Sequence, residues 1–150
     1  MAYNIVLIEP EIPTNTGNIG RLSLATGSTL HLVKPFGFEL NDKRVKRAGL
    51  DYWQHLDVVV YENQEAFFKC HADKKMAFFS SHASQEYWDV PYEEAMFFIF
   101  GKESVGLPEE LVKANQDRTF KIPIHSEYIR SINLANAVSV VVYEGLRNIR

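Results

Sequence analysis

Residues 131–144 read SINLANAVSVVVYE, and whether they form a strand or a helix decides the fold. Three consecutive valines, Val140 to Val142, favour a strand by propensity alone. The apolar tract from Ser131 to about Ile149 is far too long for one strand, however. Leu134, Val138, Val141 and Gly145, flanked by Val142, Leu146 and Ile149, keep helical spacing, so the stretch predicts a C-terminal helix. A helix apolar nearly all round must be buried on more than one side, and the valines therefore predict an interface. Ser131 and Asn133 fall where an N-cap belongs, and capping alone would account for both. Glu144 and Arg147 form a favourable i,i+3 pair near the helix end.

A final helix makes sense as the last layer of an α/β protein. Upstream, short apolar runs alternate with helix-like segments, the signature of a parallel sheet covered on both faces. Strands are expected at 4 to 10, 29 to 35, 55 to 62, 75 to 81, 95 to 101 and 118 to 124. Helices are expected from Asn18 to Thr26 with Gly27 behind it, from Asn41 to Ala48 after a cap-type Asn or Asp, weakly from Gln64 to Lys69, and from Pro108 onward. The 150 residues suit a single domain, 1–150, and show no repeats, linkers or low-complexity tracts.

Composition narrows the function classes. One cysteine, Cys70, rules out an intrachain disulfide and any Cys-rich zinc pattern, and fits a reducing cytoplasm. No secretory leader or membrane-length apolar run is expected. A net charge of −3 argues against generic polyanion binding but permits a local basic patch. Lys43, Arg44, Lys46 and Arg47 supply one, with Tyr52 and Trp53 close behind. A solvated helix face is the favoured account of such a run taken alone, and its position relative to other motifs must decide.

In an open α/β sheet, ligands lie beyond the carboxyl ends of the strands. The loops there are EPEIPTNTGNIGR (9–21), the segment around His82, GKESVGLPEE (101–110) and HSEYIRSIN (125–133). The first offers Asn15, Thr16, Gly17 and Asn18 as turn residues before a helix start, with Arg21 one turn in. Its spacing matches neither G-x-G-x-x-G nor G-x-x-x-x-G-K-[ST], so dinucleotide and P-loop readings fail. The five histidines form no metal-ligand spacing, and the G-x-S-x-G of a hydrolase is absent.

Three segments together resemble a known family. N-x-G-x-x-x-R (Asn15, Gly17, Arg21), F-G-x-E-x-x-G-L-P (Phe100 to Pro108), and Ile122-Pro123 followed by S-x-N-L-x-N-A (Ser131 to Ala137) are similar to the signature motifs of the SpoU branch of the SPOUT RNA methyltransferases. Across the whole chain the likeness is strongest to small single-domain tRNA wobble 2′-O-methyltransferases. Departures are Lys102, where such proteins often carry proline, and the loop HSEYIRS.

The resemblance implies a parallel three-layer α/β fold ending in a deep trefoil knot. It also implies S-adenosylmethionine as cofactor with no metal, and an enzyme that methylates the ribose 2′-oxygen of the first anticodon nucleotide, cytidine or uridine. Phe79, Gly101, Gly106, Leu107, Ile122 and Ser131 would line the cofactor pocket. Asn15, Arg21, Glu103 and Asn133 would be the catalytic or RNA-facing polar groups. A guanidinium has no acceptor, so Arg21 suits phosphate binding and alkoxide stabilisation better than proton abstraction. The partners implied are a tRNA anticodon stem-loop, met by the basic run 43 to 47, and a second copy of the chain packed on the final helix. Methylation of another tRNA or rRNA position, and noncatalytic RNA or nucleotide binding, remain the competing readings.

Overall fold

The structure is a computed structural model describing residues 2–41 and 43–150, with the side chains of Lys46, Ala48, Gly49, Leu50 and Asp51 left out. Asp42, one of the two residues offered as the cap of the second helix, and the Lys46 side chain of the basic run therefore lie outside the described residues.

Seven strands form one sheet in the order β3-β2-β1-β6-β4-β7-β5. They are β1 (Asn4–Ile8), β2 (Thr29–Val33), β3 (Val58–Tyr61), β4 (Met76–Phe79), β5 (Gln85–Glu86), β6 (Phe97–Phe100) and β7 (Thr119–Lys121). Every neighbouring pair is parallel. Six of these were expected; β5, two residues long, carries too little pattern to be seen.

Side chains alternate across the sheet with the period of two that a pleated strand imposes. Ile5, Leu7, Ala77, Phe79, Phe98 and Phe100 enter one apolar core with Val138, Val141 and Val142. Val6, Ile8, Met76, Phe78, Phe97 and Ile99 enter the other with Phe67. Helices α1 (Pro13–Ala25) and α5 (Leu134–Ile149) cover the first face, and α3 (Gln64–Cys70) and α4 (Glu109–Ala114) the second. The short α2 (Lys43–Gly49) packs on α1. This is the expected three-layer α/β arrangement.

The C-terminal stretch is a helix, and Asn133 is its N-cap, accepting a 3.2 Å hydrogen bond from the Asn136 amide at Oδ1. Ser131 makes no cap. The valines divide differently from expectation. Val138, Val141 and Val142 are fully buried inside this chain, whereas Val140 and Tyr143 are exposed. Burying each of the three contributes about 1.5–3 kcal/mol. The helix is thus amphipathic rather than apolar all round, and Val141 and Val142 are unavailable to a partner. Gly145 permits its close approach to β1: a Cβ there would lie 2.7 Å from the Tyr3 ring. The Tyr3 hydroxyl donates to the Gly145 carbonyl at 2.8 Å, and Glu144 pairs with Arg147 at 2.8 Å.

Helix α1 begins five residues earlier than its periodicity suggests. Pro13 opens it at a position that costs no donor, and Asn15, Thr16 and Gly17 are buried helical residues rather than a loop. Arg21 consequently sits two turns into the helix.

Candidate active site

The strand order reverses growth at β1 and β6: the chain adds β2 and β3 on one side and β4, β7 and β5 on the other. Because all strands run parallel, the loops after β1, β4, β6 and β7 collect at one edge, where such a switch point opens a crevice.

Two of these loops are clasped reciprocally. The Glu103 carboxylate accepts the Glu11 and Ile12 backbone amides at 2.8 and 2.9 Å and the Asn15 side-chain amide at 3.2 Å. The Glu11 carboxylate accepts the Ser104 amide at 2.8 Å. That amide, helped by the Ser104 hydroxyl and the Lys102 charge, holds Glu11 below the usual carboxylate range. Ile12 is the N-cap of α1 and its own side chain cannot cap. Glu103, 91 residues away in sequence, instead takes up the amide of Ile12 itself, one of the donors a helix start leaves unsatisfied, and its negative charge suits the helix N-terminus. Asn133 then donates through Nδ2 to Asn15 Oδ1 at 3.1 Å. One polar line thus joins the loop after β6, the start of α1 and the cap of α5.

The loop after β6 folds tightly upon itself. A Cβ on Gly101 would lie 2.0 Å from the Gly106 carbonyl carbon and 2.1 Å from the Leu107 nitrogen. Gly106 has φ +73, a region open mainly to glycine. Gly101 is therefore demanded by the loop's own backbone. Lys102, the departure noted above, pairs with Glu9 at 3.2 Å, and Glu9 also accepts from the Gln64 amide at 2.8 Å.

These loops enclose a cavity of about 800 Å³, within the range of drug-sized ligand sites. Phe79, Gly101, Gly106, Ile122 and Ser131 line it, as do Asn15, Glu103 and Asn133. Leu107, expected in the lining, and Arg21, expected among the catalytic or RNA-facing groups, do not line it. Leu107 is buried in the core with Phe78 and Ile99, where its apolar side chain leaves water. Arg21 is exposed on the outer side of α1, its guanidinium carbon 4.9 Å from the centre of the Tyr52 ring, a cation–π contact. The later start of α1 assumed from periodicity hid that placement. Lining residues that were not singled out include Ile12, Arg130 and Ala137; the HSEYIRS departure was the signal for Arg130. The segment around His82 does border the cavity. Among the described residues no group of three or more His, Cys, Asp or Glu could hold a metal ion, and no helix is long and apolar enough to cross a membrane.

Comparison with known proteins bears on this geometry. A tRNA (cytidine(34)-2′-O)-methyltransferase of Saccharophagus degradans is 45% identical over 98% of this chain and 96% of its own. One of Methylovorus glucosotrophus is 42% identical over 97% of this chain and 94% of its own. A solved structure from work on 2-OH methylation of C/U34 on tRNA is 40% identical, superposes with a TM-score of 0.92, and is matched over 97% of this chain and 95% of that one. The SpoU rRNA methylase family pattern spans residues 2–143, and with that coverage the chain belongs to the SpoU rRNA methylase family.

Proposed function

We propose that this chain is an S-adenosylmethionine-dependent tRNA methyltransferase that modifies the ribose 2′-oxygen of the first anticodon nucleotide, cytidine or uridine. The observation that carries this reading is near-full-length identity of 45% to a protein named for that activity, combined with a cavity that Asn15, Glu103 and Asn133 share.

The cavity fits the cofactor. Phe79, Phe100, Ile122 and Leu134 give apolar walls for an adenine ring, and the glycine-bearing loop 101–106 brings backbone amides and carbonyls to its border. When bound, S-adenosylmethionine supplies an electrophilic methyl group on a sulfonium centre. The protein's task is then to present a ribose hydroxyl in line and to manage its charge. Asn133 and Asn15 each spend one side-chain N–H inside the polar line, leaving a second for substrate oxygens. Glu103 receives three donors and acts as a positioning residue that seats α1. Arg21, outside the cavity and held over Tyr52, binds an RNA phosphate. Arg21→Ala should keep cofactor affinity within a fewfold yet lose most methyl transfer. Arg21→Lys should recover little, since a point charge cannot reproduce bidentate geometry; near-normal turnover of the alanine variant would remove Arg21 from the reaction.

Further parts of the reading concern assembly and setting. The chain acts in the cytoplasm as a single domain, with the last part of the chain forming the knot. It works as a homodimer through the outer face of α5, where Val140 and Tyr143 are exposed. A monomer by light scattering at micromolar concentration would remove the dimer. Exposed Lys43, Arg44 and Arg47 meet anticodon-stem phosphates.

The test is incubation of purified protein with tRNA and labelled S-adenosylmethionine, then digestion to nucleosides. Label in 2′-O-methylcytidine or 2′-O-methyluridine from the first anticodon position is expected. Label on a base, or on ribosomal RNA and never tRNA, would overturn the substrate assignment.

A further inference from the structure

The main cavity continues over the end of β7 into a smaller pocket of about 300 Å³, with Ser81, Ile122, Ile124 and Arg130 common to both. What the smaller pocket adds, besides Pro123, is polar: Lys121, His125 and Glu86. The side chains of Lys121, His125, Arg130 and Glu86 make no hydrogen bond or ion pair with other described residues. A body of net charge −3 has here two fixed cations and an imidazole around one recess, uncommitted to the fold.

Cations left unpaired beside a ligand cavity suit an anion held by charge-assisted hydrogen bonds. The carboxylate of Glu86 in the same recess disfavours a bare inorganic anion. It suits instead a ligand that offers phosphate oxygens and a hydroxyl donor together, as a ribonucleotide does. Continuity with the main cavity adds the direction: a strand whose target ribose enters the large cavity would run its neighbouring phosphodiester across Arg130.

We infer that this pocket is a subsite for a phosphodiester of the RNA strand that carries the target ribose. Lys121 and Arg130 supply the charge, Ser81 and His125 supply hydrogen bonds, and Glu86 accepts from a ribose hydroxyl. This rests on the RNA methyltransferase reading above.

Lys121 borders only the smaller pocket, so Lys121→Gln separates it from the cofactor site. Binding of a tRNA anticodon stem-loop should be measured against salt concentration for wild type, Lys121→Gln and Lys121→Gln/Arg130→Gln. Cofactor affinity by calorimetry and labelled methyl transfer accompany it. Lys121→Gln should weaken RNA binding several-fold, flatten the slope of log affinity against log salt by about one phosphate contact, raise KM for RNA more than it lowers kcat, and leave cofactor affinity unchanged. The double variant should flatten the slope further. An unchanged slope in Lys121→Gln with active wild type would overturn the subsite alone. A parallel fall in cofactor affinity would also overturn it, giving the pocket to the cofactor. Wild type that neither binds nor methylates the RNA would overturn the functional reading and the subsite with it.

Discussion

The polar network at the carboxyl edge of the sheet and the one inside it are built to opposite ends. At the edge, Glu103, Asn15 and Asn133 spend their hydrogen bonds on backbone amides of α1 and α5 and on one another, and all three border a cavity. Inside, Asn4 Nδ2 donates to the Ala95 carbonyl at 2.9 Å, Asn4 Oδ1 meets His31 Nε2 at 2.8 Å, His31 Nδ1 meets the Tyr61 hydroxyl at 2.9 Å, and that hydroxyl meets His71 Nε2 at 2.9 Å. Burial pushes His31 down to about 4, with His71 adding and Asp57 opposing. A neutral His31 that donates to Asn4 must accept from Tyr61, which in turn accepts from His71. The line then ends on His71 Nδ1, buried without a partner among the described residues. The edge network fixes where loops sit around a ligand. The inner one joins β1, β2, β3 and the end of α3 and borders neither of the two cavities described above.

The largest expected effect comes from breaking the edge at its tightest point. Gly101→Val forces atoms into the Gly106–Leu107 backbone, so the loop after β6 must open. Cofactor binding should fall below detection by calorimetry, with a several-degree drop in Tm. A folded variant with wild-type cofactor affinity would detach that loop from the cavity's function.

Acid should act on the inner network. His31 takes up a proton near 6.5 in the unfolded chain but only near about 4 when folded, so below pH 6.5 the unfolded state binds more protons. Stability is therefore fully present above pH 6.5 and is lost progressively as pH falls towards 4, by about 3 kcal/mol from this group. His71, shifted the same way by burial, adds to the trend. Urea unfolding across that range checks it. His31→Leu should cost about 2 kcal/mol at neutral pH, by stranding Asn4 and Tyr61, and should flatten the acid slope. An unaltered slope would place the titration elsewhere.

A smaller stability effect with a larger functional one sharpens the contrast. Glu103→Gln replaces one acceptor oxygen by an N–H facing other donors, and should cost about 1 kcal/mol. Because α1 loses its seat, kcat should fall by tenfold or more. Stability loss without a change in kcat would make the edge network purely structural, like the inner one.

The two networks were unequally legible in the sequence. Six strands follow from apolar runs, and α5 follows from the spacing of Leu134, Val138 and Val141, because burial imposes its own period. Asn15, Glu103 and Asn133 stood out through motif resemblance. Their hydrogen bonding did not, since Glu103 reaches the start of a helix from across the fold. The same missing information misplaced the start of α1, and with it the turn of the helix that carries Arg21, although Pro13 was a local signal. Leu107 was assigned to the pocket by motif, whereas burial in the second core with Phe78 and Ile99 claims it. Nothing in HLV or VVVY announced that His31 and Tyr61 would pair, because neighbouring strands come together only in the folded sheet.

The most direct measurement of the central claim uses one substrate change. A tRNA methylated by the wild-type enzyme should be remade with a 2′-deoxyribose at the first anticodon position only. Labelled methyl transfer is expected to vanish while binding of the RNA persists. Undiminished labelling of that substrate would contradict the claim, because the oxygen proposed to receive the methyl group would be absent.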